Sequence, residues 1–263
     1  MIYDIVTYNG ERELLELRLN ILSPYVDKFI IVEFDKTFSG KDKPFYGGKD
    51  MDKFLEPWKG KVEWYYNTEK TWGKYWEEAK KSPNTNYGEG AKHWIREWCQ
   101  KECITDYLTF LKDSDTLYIG DIDEIWQPFP IDEKSIFKLK LRVYTYFLNN
   151  RSTEQFWGTI VGKCKNIKGK CLNHIRSKDH TKTTTDWGWH FTSLKNNLKN
   201  KLLDSYTADS YANKWVMDNL EENIKNNKDF LGRNFVYYID ESELPQWLLE
   251  HKNDYKHLFR QDN

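Results

Sequence analysis

The chain has 263 residues, which is long enough for one large domain with a substantial buried core. Its 40 basic and 41 acidic residues leave a formal net charge of -1, so no overall charge attracts nucleic acid or an anionic membrane. No stretch approaches the roughly 20 apolar residues that cross a bilayer, and the strand-like start leaves no room for a signal peptide. We therefore expect a soluble, cytoplasmic protein with no nucleic-acid partner and no membrane span.

The chain begins with a strand, a helix and a second strand. Residues 2–7 are strand-like, leucines then recur at helical spacing up to residue 22, and residues 29–32 form a continuous apolar run. Such a unit is parallel and right-handed, and its ligands bind beyond the carboxyl ends of the strands. We predict a nucleotide crevice there, lined by Thr7, Tyr8, Asn9, Glu33 and Asp35. Glu33 and Asp35 are equally compatible with the start of a loop.

The next segment leads to a second buried helix. Residues 36–60 predict a loop and a short helix, and residues 62–66 a third strand. Residues 69–90 lack periodicity and predict a long surface excursion. From residue 91 an apolar face recurs at helical spacing up to residue 111. The four cysteines have no zinc-site spacing, so we expect free thiols.

The fourth strand-like segment, residues 117–125, ends in three carboxylates within four positions. These are Asp121, Asp123 and Glu124, and Pro128 and Pro130 follow them. Acids at the carboxyl end of a buried strand can hold a divalent cation against a phosphate. An Asp-x-Asp motif by itself is also typical of a solvated turn, so its neighbours decide its meaning.

Beyond the acidic motif the pattern changes. Strand-like runs at 137–147, 154–161 and 187–191 are separated by polar loops, one of which contains Arg176. Helical patterns then cover 194–227 and 244–259. We predict one α/β domain over residues 1–263, with a nucleotide-binding half at 1–125 and an acceptor-side half with C-terminal helices at 126–263.

The chain resembles glycosyltransferase family 17 in six blocks that occur in the family's order. The blocks are residues 11–19, residues 26–41 in part, Arg96-Glu97 with Gln100, residues 121–125, Gly188-Trp189-His190, and Leu244-Pro245 with Leu248 and Tyr255. The resemblance implies a GT-A-like fold with a mostly parallel, Rossmann-type sheet. It implies inverting, metal-dependent transfer of a sugar from a UDP-sugar donor to a glycan acceptor, with Mn²⁺ or Mg²⁺ as cofactor. N-acetylglucosamine is favoured, because the family includes the enzyme that adds bisecting N-acetylglucosamine. Without a stem or anchor, an acceptor made in a bacterial or viral setting is expected.

The resemblance also implies roles at the metal site. Asp123 is expected to contact the metal, Asp121 the metal or the ribose, and Glu124 to support them. His190 is expected to complete the metal site, unless it is a structural histidine held between tryptophans.

Inversion at the sugar needs one base to take the proton from the acceptor hydroxyl. Glu154 is the first candidate and Asp186 the second, and each is also compatible with a loop carboxylate. Arg96 is expected to pair with Glu97 beside the donor. Two further cations, Arg176 and Lys201, are expected to reach diphosphate oxygens, unless they lie on a solvated surface.

Two other function classes are compatible with parts of this pattern. A carbohydrate-binding protein without turnover would keep the fold and the 12 tryptophans. A phosphatase of the haloacid dehalogenase type also uses Asp-x-Asp at a strand end, but on the first strand and with a later pair of acids. The sequence shows neither of these phosphatase features.

Overall fold

The computed structural model describes residues 1–47, 49–82, 91–177, 181–196, 198–204 and 212–261. The strands are β1 (Ile2–Tyr8), β2 (Lys28–Phe34), β3 (Val62–Asn67), β4 (Thr116–Asp121), β5 (Glu124–Trp126), β6 (Ile136–Thr145), β7 (Asn150–Lys163), β8 (Thr181–Thr192) and β9 (Tyr237–Ile239). The α-helices are α1 (Arg12–Leu22), α2 (Lys49–Leu55), α3 (Glu69–Trp72), α4 (Trp76–Ala79), α5 (Ala91–Glu102), α6 (Ile104–Leu108), α7 (Cys164–Ile167), α8 (Leu172–Ser177), α9 (Leu198–Asp204), α10 (Lys214–Lys225) and α11 (Gln246–Glu250). Short 3₁₀ turns follow α2 and α3 and lie near the C-terminus, at Glu56–Trp58, Gly73–Tyr75 and Lys256–Leu258.

Within the described residues, the strands form one nine-stranded sheet. Its order is β3, β2, β1, β4, β7, β6, β8, β5, and β9 pairs with the start of β7. The first four strands are mutually parallel, whereas β7 is antiparallel to both β4 and β6. The predicted α/β fold is confirmed, and its sheet is mixed. Helices α1 and α5 lie in the crossovers that lead from β1 to β2 and from β3 to β4, as parallel strands require such connections. Strands β6 and β8 are also parallel to each other.

Both faces of the sheet are covered by apolar side chains. Helix α1 buries its leucine stripe on one face, together with the C-terminal residues Leu248, Leu258 and Phe259. Helices α5, α6 and α8 cover the other face. Strands covered on both sides become continuous apolar runs, as in β2 and β4. The carboxyl ends of β1, β2 and β4 are therefore where polar side chains can gather.

The segment predicted as a surface excursion is instead partly core, as far as residue 82. Two short helices, α3 and α4, form there, and the side chains of Trp72 and Ala79 are fully buried. Trp72 also donates its indole N–H to Asp35 Oδ1 at 3.0 Å. A long-range contact of this kind has no periodic signal, which is why the sequence pattern missed it. Residues 83–90 lie outside the described part.

The C-terminal half also departs from prediction. Arg176 belongs to α8 rather than to a loop, and the threonines after it belong to β8. The predicted helix at 194–227 is divided into α9 and α10, and residues 205–211 lie outside the described part. The predicted helix at 244–259 is shorter, because α11 ends at Glu250.

Two simpler expectations concern cysteines and membrane spans. All four cysteines are free thiols, and three of them are buried. Among the described helices, none combines the length and the apolar character needed to cross a bilayer.

The carboxylate of Asp229 hydrogen-bonds several groups in residues 231–237, which lead into β9. Its Oδ2 accepts bonds from Arg233 Nη2 and Tyr237 Oη, both at 2.8 Å, and its Oδ1 accepts the backbone N–H of Leu231 at 2.9 Å. Burial raises the pKa of Asp229, but the hydrogen bonds from Arg233 and Tyr237 outweigh burial and lower that pKa below its ordinary 3.8. A carboxyl whose pKa is lowered by folding stabilises the fold above its unfolded pKa, and this contribution is lost as pH falls through the folded value.

Asp229→Asn is therefore expected to lower the free energy of unfolding by about 1–3 kcal/mol at pH 7, because a buried acceptor is lost. Thermal unfolding of both proteins between pH 7 and pH 3 measures this difference. The difference between the two melting temperatures should begin to shrink below about pH 4, where the unfolded chain takes up a proton at Asp229, and should shrink further as pH falls towards the lowered pKa of the folded protein. A difference that does not change with pH contradicts this account.

Candidate active site

The acidic motif lies at the carboxyl end of β4, in the middle of the sheet. Asp121 is the last residue of β4 and is in register with Thr7 at the end of β1. Glu124 begins β5 and is opposite His190 on β8. The backbone N–H of Phe191 donates to the carbonyl of Asp123 at 2.9 Å, which ties the turn to β8. The structure thus brings the predicted crevice, the acidic motif and the late histidine to one edge of the sheet.

Asp121 is surrounded by cations from two helices. Its Oδ2 accepts a bond from Arg176 Nη2 of α8 at 3.0 Å and lies 3.4 Å from Lys101 Nζ of α5. Lys101 in turn pairs with Glu97 at 2.6 Å. Burial raises the pKa of Asp121, but Arg176 and Lys101 outweigh burial and lower the pKa to about 2. Asp121 is therefore ionised at neutral pH, and its other oxygen, Oδ1, is buried and has no hydrogen-bond partner among the described residues.

Asp123 contacts a different pair of basic groups. Its Oδ2 is 2.8 Å from Lys201 Nζ of α9, and its Oδ1 is 3.5 Å from His190 Nε2. Burial raises the pKa of Asp123, but Lys201 and His190 outweigh it and hold the pKa well below its ordinary value. For His190, burial lowers the pKa, and the carboxylate of Asp123 outweighs burial and raises it. Two predicted cations, Arg176 and Lys201, are thus both paired with the motif; the Arg176 side chain is 16% exposed, whereas the Lys201 side chain is 44% exposed to solvent.

The carboxylate of Glu124 is buried next to the motif. Its side chain is 1% exposed, its Oε2 accepts a bond from Thr159 Oγ1 at 2.9 Å, and its Oε1 lies 3.9 Å from Arg176. A Cβ on Gly120 would lie 2.6 Å from Glu124 Oε2, and one on Gly158 would lie 2.6 Å from Glu124 Oε1. Both glycines therefore leave the space that the buried carboxylate fills.

The predicted nucleotide crevice is organised by Lys43 and Glu33. Lys43 Nζ donates to the Tyr8 carbonyl at 3.1 Å and to Asn9 Oδ1 at 2.9 Å. Glu33 is fully buried and accepts bonds from the backbone N–H of Tyr46 at 2.9 Å and the indole of Trp64 at 2.9 Å. Glu33 therefore shapes the loop over the crevice, while Tyr8 and Asn9 lie at its edge.

Asp35 and Arg96 have structural partners. Asp35 Oδ2 accepts the backbone N–H of Glu69 at 2.9 Å, at the start of α3. Arg96 donates to the Phe38 carbonyl at 3.4 Å, and its guanidinium packs on Gly40. The predicted ion pair between Arg96 and Glu97 is wrong, because Glu97 pairs with Lys101 one helical turn further along.

The donor atoms of the motif suit a hard divalent cation. Asp121 Oδ1 has no hydrogen-bond partner in the described part of the chain, and Asp123 Oδ1 faces the ring nitrogen of His190. Carboxylate oxygens are the ligands that Mn²⁺ and Mg²⁺ prefer. In the part of the chain described, no three acidic, histidine or cysteine side chains already converge on one point.

The two predicted bases, Glu154 and Asp186, line one open cavity of about 280 Å³. Glu154 lies 3.5 Å from Arg233, and Asp186 lies 3.5 Å from Arg151. No hydrogen bond or ion pair joins either carboxylate to the acidic motif within the described residues. Strands advance about 3.3 Å per residue, so Asp186 is at most about 13 Å along β8 from His190. Glu154 is two residues from Phe156, whose ring stacks on His190 with centroids 4.0 Å apart.

Comparison with known proteins decides the family. The sequence profile of glycosyltransferase family 17 matches residues 1–225. The chain belongs to glycosyltransferase family 17. The resemblance seen in the sequence is thereby confirmed, and the family is one of glycosyltransferases rather than phosphatases. A search of curated proteins finds no match.

Solved glycosyltransferase structures resemble this family 17 chain only distantly. The galactosyltransferase LgtC, crystallised with donor and acceptor sugar analogues, is 9% identical, with a TM-score of 0.34, over 63% of this chain and 58% of LgtC. The match thus spans less than two thirds of LgtC. Mouse xyloside xylosyltransferase 1, in its apo form, is 8% identical, with a TM-score of 0.36, over 100% of this chain and 94% of the mouse protein.

Several residues of this family 17 site were missed by sequence reasoning. Lys101 was not singled out from the helical pattern, and Glu11 entered only as the first residue of a block shared with the family, without a role in the site. Glu11 is the residue before α1, and its Oε2 accepts the backbone N–H of Asn9 at 2.8 Å. Burial raises the pKa of Glu11, while the charge of Lys201 lowers it. Nothing in the periodicity of the sequence marks either residue, because their partners come from distant segments.

Arg18 and Asp4 were also missed, although the sequence carried a signal. Arg18 falls on the apolar stripe of α1, between Leu14 and Leu22, and Asp4 interrupts the apolar run of β1. Both side chains are fully buried and pair with each other at 2.7 Å. Opposite charges at apolar positions of consecutive elements predict a buried pair.

Proposed function

We propose that this family 17 glycosyltransferase transfers a sugar, with N-acetylglucosamine favoured, from a UDP-sugar to a glycan acceptor with inversion, and that it uses Mn²⁺ or Mg²⁺. The observation that carries the proposal is the convergence of Arg176, Lys101 and Lys201 on the two aspartates beyond β4. When a diphosphate and a divalent cation bind, the basic side chains can pair with the phosphate oxygens and the two aspartates can bind the cation. Each charged group of the cluster then keeps a partner of opposite charge.

The donor is proposed to lie along the carboxyl ends of β1, β2 and β4. Register places Thr7 beside Asp121, and Tyr8 and Asn9 continue from it. The ring of Tyr46, which is 38% exposed and packs edge-on against the buried ring of Tyr8 with centroids 6.1 Å apart, forms an aromatic wall suited to a nucleoside. Lys43 holds both the Tyr8 carbonyl and Asn9, which keeps this edge in place. Uridine recognition is proposed from this wall together with family membership.

Asp123 and His190 are proposed as the protein ligands of the cation, with Asp121 Oδ1 as the third. A bound divalent cation supplies Lewis-acid neutralisation of the charge that develops on the leaving diphosphate. Arg176 and Lys201 add to that neutralisation from the protein side, since both already lie against the motif. Glu124, bonded to Thr159 and near Arg176, keeps the Arg176 guanidinium directed at the motif.

The acceptor is proposed to occupy the cavity beside β7. Its lining combines carboxylates, cations and an aromatic ring, a mixture that hydrogen-bonds sugar hydroxyls and stacks on sugar faces: Lys140, Arg151, Glu154, Gln155, Asp186 and Tyr238. Glu154 is proposed as the base that takes the acceptor proton, ahead of Asp186, because it lies two residues from Phe156, whose ring stacks on His190.

A thermal-shift screen of nucleotide sugars with Mn²⁺ tests the donor assignment. A ligand that binds only the folded protein raises its melting temperature by mass action. UDP and UDP-sugars are expected to raise it, with UDP-N-acetylglucosamine giving the largest shift among the sugars. GDP-, CMP- and dTDP-sugars serve as matched controls. A larger shift with one of those nucleotides than with any UDP compound would overturn the assignment.

A further inference from the structure

One fully buried guanidinium links the first strand, the first helix and the acidic motif. Arg18 Nε donates to Asp4 Oδ2 and Arg18 Nη2 to Asp4 Oδ1, both at 2.7 Å. Trp126 Nε1 donates to Asp4 Oδ1, also at 2.7 Å. The carboxylate of Asp4 therefore holds the guanidinium in a fixed plane, which a bidentate pair does better than a single contact.

The remaining nitrogen of Arg18 faces the backbone of the motif. Nη1 donates to the carbonyl of Glu124 at 2.6 Å, and the carbonyls of Asp121 and Ile122 lie 3.2 and 3.4 Å away. These carbonyls lie on both sides of Asp123 in the sequence. A single cation thus holds the turn that projects both aspartates into the site.

The stability of the fold alone does not explain why Arg18 and Asp4 form a buried ion pair. Taking two charges out of water costs about as much as their attraction returns, and an apolar pair of similar volume often serves a fold equally well. What an apolar pair cannot do is hold three carbonyl oxygens. Lysine cannot do so either while also bonding Asp4 through two atoms, because its ammonium is a point charge without a planar fork.

We propose that Arg18, fixed by Asp4 and Trp126, is a positioning residue for donor binding: it sets the backbone of residues 121–124 so that Asp121 and Asp123 meet the diphosphate and its cation. This inference rests on the proposed function. Displacing functional groups by about 1 Å can lower the rate of a reaction by up to about 100-fold. The effect of Arg18 should therefore appear in donor affinity and not only in stability.

The test compares Arg18→Lys with Leu19→Ala. Leu19 is the adjacent residue of α1, is fully buried in the core and has an apolar side chain that cannot hydrogen-bond the motif, so its truncation lowers stability without loosening the turn. UDP affinity is measured by calorimetry with Mn²⁺, at a temperature well below the melting point of each variant. Arg18→Lys is expected to weaken UDP binding by about 10-fold or more, and Leu19→Ala by less than about 2-fold. Wild-type UDP affinity in Arg18→Lys overturns the inference.

Two further measurements separate the possible failures. If Arg18→Lys does not fold, Asp4→Asn replaces it, because the amide removes the charge that fixes the guanidinium, and unchanged UDP affinity there also overturns the inference. If the wild-type protein binds no UDP, the proposed function fails by itself. Amide hydrogen exchange at residues 122–125 then decides the role of Arg18: faster exchange in Arg18→Lys than in Leu19→Ala supports it, and equal exchange overturns it.

Discussion

Asp123→Ala is expected to weaken metal-dependent UDP binding by about 100-fold or more while the protein stays folded. Asp123 is ionised at neutral pH, because Lys201 and His190 lower its pKa against the opposing effect of burial. Removing it takes away the proposed metal ligand and leaves Lys201 and His190 without their shared partner. Calorimetry of UDP with Mn²⁺ measures the loss, and circular dichroism checks the fold.

A matched control distinguishes the removal of a metal-binding carboxylate from the removal of a carboxylate elsewhere on the protein. Glu133→Ala removes an acid that is 67% exposed and pairs with Lys165, away from the motif. It is expected to bind UDP as the wild type does, because an exposed ion pair contributes about 0–1 kcal/mol to stability and nothing to the site. Unchanged UDP affinity in Asp123→Ala contradicts the metal assignment.

Glu154→Gln is expected to keep donor binding and to slow transfer by about 100- to 10,000-fold, the usual contribution of a positioned base. The amide keeps the size of the side chain and its place opposite Arg233, but it cannot accept the acceptor proton. Transfer is measured as formation of a glycoside with a panel of acceptors, and UDP affinity is measured separately. The variant should therefore lose kcat without losing affinity for UDP.

Two comparison variants identify the base if Glu154 is not it. Asp186→Asn tests the other carboxylate of the same cavity. Glu11→Gln tests the carboxyl near Lys201 and Asp123, whose pKa is raised by burial. Near-normal transfer in Glu154→Gln, with a large loss in one of these two, moves the role to that residue.

Local patterns in the sequence predicted much of the sheet and the position of the acidic motif. Apolar runs and leucine spacing are local signals, and they correctly placed β1, α1, β2 and β4. The crevice prediction followed because parallel strands share one carboxyl edge. Family blocks then placed His190 near the motif, and its 3.5 Å distance from Asp123 agrees with that placement.

What the sequence missed depends on contacts between distant segments. Lys101 contacts Asp121 of β4 from helix α5, and Trp72 is buried in the core although its segment shows no periodicity. Arg96 was paired with its neighbour in the chain, yet adjacent helical residues do not face each other, and Glu97 pairs with Lys101 four residues later. The pair of Arg18 and Asp4 was readable as two charges at apolar positions, but its contact with the motif carbonyls was not.

Release of UDP from UDP-N-acetylglucosamine tests the central claim most directly. Wild-type protein, Asp123→Ala and a buffer control are incubated with Mn²⁺ or with a chelator, with and without the acceptor panel, and free UDP is measured over time. Wild-type protein with Mn²⁺ is expected to release UDP, and release is expected to be lost with the chelator and in Asp123→Ala. Equal release in the presence of the chelator, or equal release by Asp123→Ala, would contradict a metal-dependent transferase centred on the aspartates beyond β4.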